Sequence, residues 1–200
     1  MIQNLFTVNA LIKDYDKTNE WSLELGLAAK AVFQLYLAES GKTYEQLGDD
    51  EIPFFTQENI KQFPIIGELQ QIFIDGFYEL ASSYEDNILT RDDIARMVAN
   101  NSGKLPFMKK HQFKRTHNHV GACAFGIFYL SDVNNEQQGG ELILRDPAFH
   151  SNYQFHSAQE FPVETKKNRL VVVPGYIWHD VSPYMGDEER LAVVINLDLV

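Results

Sequence analysis

Cysteine is almost missing from this 200-residue sequence: Cys123 stands alone. A single thiol cannot close an internal disulfide, and its place in the apolar run VGACAFGIFYL reads as a small buried hydrophobe rather than a reactive group. Positive charge is also scarce. Seventeen Lys and Arg face 28 Asp and Glu, a formal net charge of −11, which argues against a surface built to neutralise nucleic-acid phosphates. The local exception is Lys109, Lys110, Lys114 and Arg115, which reads as solvation of a strand, with an anionic ligand as the alternative. No apolar run approaches the roughly 20 residues of a membrane span. The opening MIQNLFTVNALIKDYD has neither a basic head nor a small-residue cleavage site, so a cytoplasmic protein is expected. Internal repeats and low-complexity linkers are lacking too, and one domain spanning 1–200 is expected.

What is present is apolar and aromatic: 44% hydrophobic residues, with 14 Phe and 9 Tyr, enough for a packed core. Two periods divide the chain. Over the first half the spacing is helical, with Trp21, Leu25, Ala28, Val32 and Leu35 in one stripe behind a cap at Thr18 or Asn19. Ile66, Leu69, Phe73, Phe77 and Leu80 form a second stripe over 64–84, and Thr90 followed by Asp93 resembles a third, capped helix start. Such stripes are core, so 1–104 is expected to be mainly helical support. From about Gly103 the apolar stretches become short and β-branched or aromatic, separated by turn signals. Strands are expected near 109–119, 122–130, 141–145, 159–163, 169–173, 178–182 and 190–199. The fold class is α+β, with a sandwich or double-sheet jelly roll over 105–200 and the helices packed outside it.

The chemistry-bearing residues lie in that second half. In RTHNHVG, His117 and His119 are one residue apart; in a strand they share a face and form a pincer for one ion, or they are two polar residues where a strand begins. Two ligands seldom suffice for tight binding. The third candidate is His179 in VVVPGYIWHDVSP, far enough along for the chain to return. Arg190 then opens the apolar strand of Leu191, Val193, Ile195 and Leu197. Buried alone it would be costly, so it either meets a carboxylate ligand in two parallel hydrogen bonds or pairs with Asp187, Glu188 or Glu189.

The order of these motifs, THNHVGACAFGIFYLSD, then GGELILRDP, then RLVVVPGYIWHDVSPYMGDEERLAVVINL, resembles the catalytic core of the iron(II)- and 2-oxoglutarate-dependent dioxygenases. It is most similar to a prolyl-hydroxylase-like branch of uncharacterised bacterial and phage proteins whose first ligand motif reads HxH. The resemblance covers about 105–200. It implies a double-stranded β-helix (jelly roll, cupin-like) with Fe(II) at its mouth, and 2-oxoglutarate and dioxygen as cosubstrates. By position it makes His117, His119 and His179 the metal ligands and Arg190 the anchor of the cosubstrate's far carboxylate. Gly139 and Gly140 fit a structural Gly-Gly turn.

This sequence departs from the family pattern twice. His119 stands where most relatives carry Asp or Glu, so the site would supply no negative charge. Ala192 stands where many carry Ser, so a second donor to the far carboxylate must come from elsewhere; Tyr129 is one source, or it is a core filler. Affinity for metal is expected to fall as pH drops through about 6.5, since ligating imidazoles must be neutral. His111 shares the parity of His117 but reads as a surface residue, and His150 and His156 lie in a loop that would cover the mouth or pack on the surface. Asp180 would point away from His179, and Asn196 would point inward as a hydrogen-bonding group. The expected activity is hydroxylation of an unknown substrate, a peptidyl residue such as proline being suggested by the resemblance. Two other classes compete: a non-catalytic jelly-roll binding module, and a cupin-type three-histidine dioxygenase without 2-oxoglutarate, in which Arg190 would bind the substrate's own carboxylate.

Overall fold

In the computed structural model, which describes residues 8–43, 46, 52–101, 103–147 and 160–198, two antiparallel sheets face each other and helices cover the outer face of one. The chain begins with β1 (Leu11–Asp14), α1 (Asn19–Ser40), α2 (Gln57–Gln62), α3 (Pro64–Ser82) and α4 (Arg91–Ala99). It continues through β2 (Phe107–Met108), β3 (Lys114–His117), β4 (Ala122–Tyr129), α5 (Asn135–Gln138) and β5 (Leu142–Arg145). The last strands are β6 (Glu160–Val163), β7 (Arg169–Pro174), β8 (His179–Val181) and β9 (Arg190–Asp198). One sheet runs β1-β7-β4-β9-β2 and the other β3-β8-β5-β6, a jelly-roll arrangement that does not close into a barrel.

Alternation along β4 and β9 divides the interior into two cores. Ala124 and Phe128 of β4, with Leu191, Val193, Ile195 and Leu197 of β9, join the helical core. Phe125, Ile127 and Tyr129, with Ala192, point the other way and meet Leu142, Leu144 and Val163 from the second sheet. Helix α3 starts at Pro64, whose missing N–H costs nothing at a first helical position. It lies close on the sheet because Gly126 gives it room: a Cβ there would stand 2.9 Å from the Phe73 ring. The α1 cap is Thr18, which accepts from the Trp21 N–H, and α4 carries the full Thr90/Asp93 capping box.

The structure corrects several expectations. The buried face of α1 is Leu25, Ala28, Ala29, Val32 and Phe33, while Leu35 is turned outward, off that stripe. Strand β1 and helix α2 were not foreseen; β1 pairs with β7 and ties itself there through Asp14, which Arg169 and Lys166 hold. Those two cations keep the Asp14 carboxyl ionised down to about 2. The strand expected over 109–119 is confined to β3 at 114–117, and β2, which precedes this range, belongs to the other sheet. Between β2 and β3 the chain turns at 109–112, with His111 at φ 71, so His111 shares no strand with His117. No helix among the described residues is long and apolar enough to cross a membrane. His150 and His156 lie outside the described residues.

Because α3 seats on a strand position without a side chain, Gly126→Val should overpack this contact and destabilise the fold by about 1–3 kcal/mol in urea unfolding. A variant as stable as the parent would contradict the close approach.

Candidate metal and cosubstrate site

Three imidazoles from three parts of the chain meet at one end of the space between the sheets. His117 ends β3 and is the cross-strand partner of His179 at the start of β8, so the two rings rise from one face, with centroids 4.3 Å apart. His119 does not share a strand with His117. It sits in the turn that carries the chain from β3 to β4, where its N–H donates to the Gly175 carbonyl and its own carbonyl accepts from Ala122. Gly175 is required at that crossing, since a Cβ would lie 2.1 Å from the Ala122 carbonyl oxygen. The ligand atoms of the three residues all fall within 4.8 Å of one another, a spacing that one shared ion could bridge.

The surroundings hold these rings in a ligand-ready form. His117 Nδ1 lies 2.7 Å from the Arg115 carbonyl, and His179 Nδ1 lies 3.0 Å from the Ile177 carbonyl. A carbonyl only accepts, so each Nδ1 carries the proton and each Nε2 keeps its lone pair. Phe125, fully buried, stacks 4.3 Å from both His119 and His179, and those two imidazoles are parallel to within 4°. Burial is the main reason the His119 pKa falls to about 3, with the nearby His179 and His117 adding to it. Burial likewise lowers His179 to about 4, against a partial offset from the Ile177 carbonyl. Both rings are therefore neutral far below the ordinary histidine range, and the loss of metal affinity expected near pH 6.5 moves to lower pH for these two.

Asp180 turns away from the cluster, as expected. It is nearly buried and its carboxylate accepts from Arg145 Nε at 2.6 Å and from Thr116 Oγ1 at 3.0 Å, while Arg145 also reaches Glu160. This network ties β3, β5, β6 and β8 together behind the histidines.

Deeper in the same cavity of about 800 Å³ lies Arg190, 4% exposed. Its sequence neighbours do not pair with it: Asp187 takes Lys110 instead, and among the described residues Arg190 has no carboxylate partner. What it has is weak: Nε to the Thr165 hydroxyl at 3.3 Å, a terminal nitrogen to Met108 Sδ at 3.4 Å, and the Tyr129 ring 5.2 Å away. Burial lowers its pKa, yet a guanidinium stays charged. The fully buried Tyr129 hydroxyl beside it has no hydrogen-bond partner of good geometry. A buried cation and an orphaned hydroxyl together match the needs of one carboxylate. Ala192 lines the cavity; beside Arg190 the Thr165 hydroxyl accepts from Nε, a contact that no local sequence pattern marks. Gly139 and Gly140 both take positive φ, 64° and 79°, and Gly140 sits against the Arg190 side chain with its carbonyl accepting from Thr165. At the rim stand Lys104, Lys109, Lys114 and Arg115.

The model of the family described as "Putative 2OG-Fe(II) oxygenase" matches residues 105–196. No curated protein matches the chain. Among solved structures it is similar to a prolyl-4-hydroxylase of Pseudomonas putida, at 15% identity and TM-score 0.55 over 97% of this chain and 89% of that one. It is similar to a prolyl hydroxylase from Trichoplax adhaerens, solved with a hypoxia inducible factor oxygen degradation domain peptide fragment, at 16% identity and TM-score 0.58 over 95% and 83%. It also resembles the non-heme alpha ketoglutarate dependent carbocyclase SnoK from nogalamycin biosynthesis, at 12% identity and TM-score 0.58 over 96% and 80%. These structural likenesses carry the fold. The family match makes residues 105–196 similar to the 2OG-Fe(II) oxygenases.

The two depressed histidines link stability to pH. Their folded values lie below the unfolded one, so their contribution is complete above about pH 6.5 and is lost as protons bind the unfolded chain on the way down towards 4 and 3. For His179 the loss should approach about 1.4 kcal/mol per pH unit, and less for the partly solvated His119. In urea unfolding of metal-free protein between about pH 7.5 and about pH 5, His179→Gln should remove much of the acid sensitivity; an equal loss in parent and variant would contradict the assignment.

Proposed function

We propose that His117, His119 and His179 hold iron(II) and that Arg190, oriented by the Thr165 hydroxyl and joined by the Tyr129 hydroxyl, holds the far carboxylate of 2-oxoglutarate. The observation that carries this reading is the presence in one cavity of three converging imidazoles and a buried arginine without a counter-ion among the described residues. Three imidazoles suit ferrous iron and leave open positions for other ligands. When bound, iron(II) with 2-oxoglutarate and dioxygen supplies an oxidant that inserts one oxygen atom into a substrate C–H bond, the other leaving in succinate as carbon dioxide is released. The chain's own part is positional. Arg190 sets how deep the cosubstrate sits, its charge being strong in this water-poor interior. Phe125 fixes the ring planes, and the Arg145–Asp180–Thr116 network holds the β3–β8 pairing on which His117 and His179 ride.

The substrate is a peptidyl residue in this proposal, with proline the first to test, a reading supported by the prolyl hydroxylases of like fold. The histidine cluster has three members among the described residues, which favours an open site over a closed structural one. A three-histidine enzyme without 2-oxoglutarate is the competing reading, since Arg190 would serve a substrate carboxylate equally well.

Anaerobic reconstitution with iron(II), followed by oxygen and 2-oxoglutarate, should yield succinate; absence of 2-oxoglutarate turnover with any peptide or none would favour the competing reading. Arg190→Met should raise the KM for 2-oxoglutarate by about 30-fold or more while cobalt binding persists. The same change removes an uncompensated buried charge, so the cosubstrate-free variant should be as stable as the parent or more stable, by up to about 3 kcal/mol. Unchanged cosubstrate dependence would remove Arg190 from the site.

A further inference from the structure

His117 and His179 each have a backbone carbonyl, two residues earlier in the chain, to hold the Nδ1 proton. Among the described residues no backbone carbonyl does this for His119. Its ring plane is set by stacking on Phe125, but stacking is indifferent to which nitrogen carries the proton. Only one of the two neutral tautomers leaves Nε2 free to ligate.

Asn196 stands where that choice is made. It is the cross-strand partner of Phe125 in the β4–β9 pairing, so both side chains rise from the same face of the sheet. It continues the row of Arg190, Ala192 and Val194, which line the cavity. Its side-chain amide lies on the side of the sheet where His119 stacks on Phe125, and its Oδ1 is buried with no hydrogen-bond partner. Among the described residues the other such buried side-chain atom is the Tyr129 hydroxyl. The pairing of an unheld ring N–H with an unused acceptor needs only a turn about the soft terminal torsion of the amide.

We propose that Asn196 is a positioning residue for the third ligand, its Oδ1 accepting the Nδ1 proton of His119 so that Nε2 is left as the metal donor. The proposal rests on the three-histidine reading. It assigns to a side chain the task that backbone carbonyls perform for the other two rings, at the one ring carried by a turn rather than a strand. An amide acceptor also orients an imidazole without adding charge, so the site remains one of neutral donors. Were Asn196 instead to donate its N–H₂ to Nδ1, the proton would sit on Nε2 and His119 could not ligate.

The test reads the tautomer directly, on metal-free protein, by long-range ¹H–¹⁵N correlation of ¹⁵N-histidine-labelled samples. In the parent and in Asn196→Asp, which keeps an acceptor, His119 should carry its proton on Nδ1. Asn196→Leu should shift it towards Nε2 or a mixture, and cobalt affinity should fall by about 10- to 100-fold in that variant alone. A parent with the proton on Nε2, or an Asn196→Leu variant with tautomer and cobalt affinity unchanged, overturns the proposal. If Asn196→Leu does not fold, the parent and Asn196→Asp spectra still decide. A parent that binds no cobalt would sink the three-histidine reading itself, whereas the tautomer, read without metal, bears on Asn196 alone.

Discussion

The alternation of side chains along β4 and β9 is the constraint on which this protein depends. A strand offers two faces and no third option. On one, Phe128, Leu191, Val193 and Ile195 are buried under the helices, and that burial supplies the hydrophobic stabilisation of the sheet. The other face is thereby free to carry Phe125, Tyr129, Arg190 and Asn196 into the space between the sheets. A one-residue slip of β9 would send Arg190 into the helical core and Leu191 into the cavity. Close packing of α3 against Gly126 resists such a slip, so the helices act on the site through register rather than by contact.

Charge is the second theme. Among the described residues the carboxylate adjacent to the histidines, Asp180, is committed to Arg145 and Thr116 on the far side. Arg190 is buried without a counter-ion among the described residues, a situation that costs several kcal/mol per ion even after relaxation. If the three imidazoles hold the metal as proposed, they add no negative charge, and a dianion spanning metal and Arg190 would complete the site. On this account cosubstrate and metal bind cooperatively, each lowering the cost of the other, which a site with a carboxylate ligand would need less.

The histidines and the arginine were legible because their chemistry is uncommon in apolar strands: His179 after a Pro-Gly turn and Arg190 before a run of β-branched residues stand out from their neighbours. The helices were legible where caps and period agreed, as at Thr18 and Thr90. The break between β2 and β3 was not, because Lys109 to Gln112 contains neither Gly nor Pro, and the positive φ falls on His111. His117 and His119 do not share a strand because β3 ends at His117; the rings converge because a turn, held by Gly175, brings the second one round. Thr165 was hidden for another reason. Its role depends on proximity to Arg190 across the fold, and no local pattern marks a threonine that serves a residue 25 positions away.

The most direct test of the central claim, that neutral imidazoles and a buried guanidinium form one composite site, is the absorption spectrum of the anaerobic protein with ferrous iron and 2-oxoglutarate together. Chelation of the cosubstrate to iron at this centre should produce a long-wavelength charge-transfer band that needs both components and is lost in His179→Ala. A spectrum that is the simple sum of its parts, with iron and 2-oxoglutarate both in excess, would contradict it.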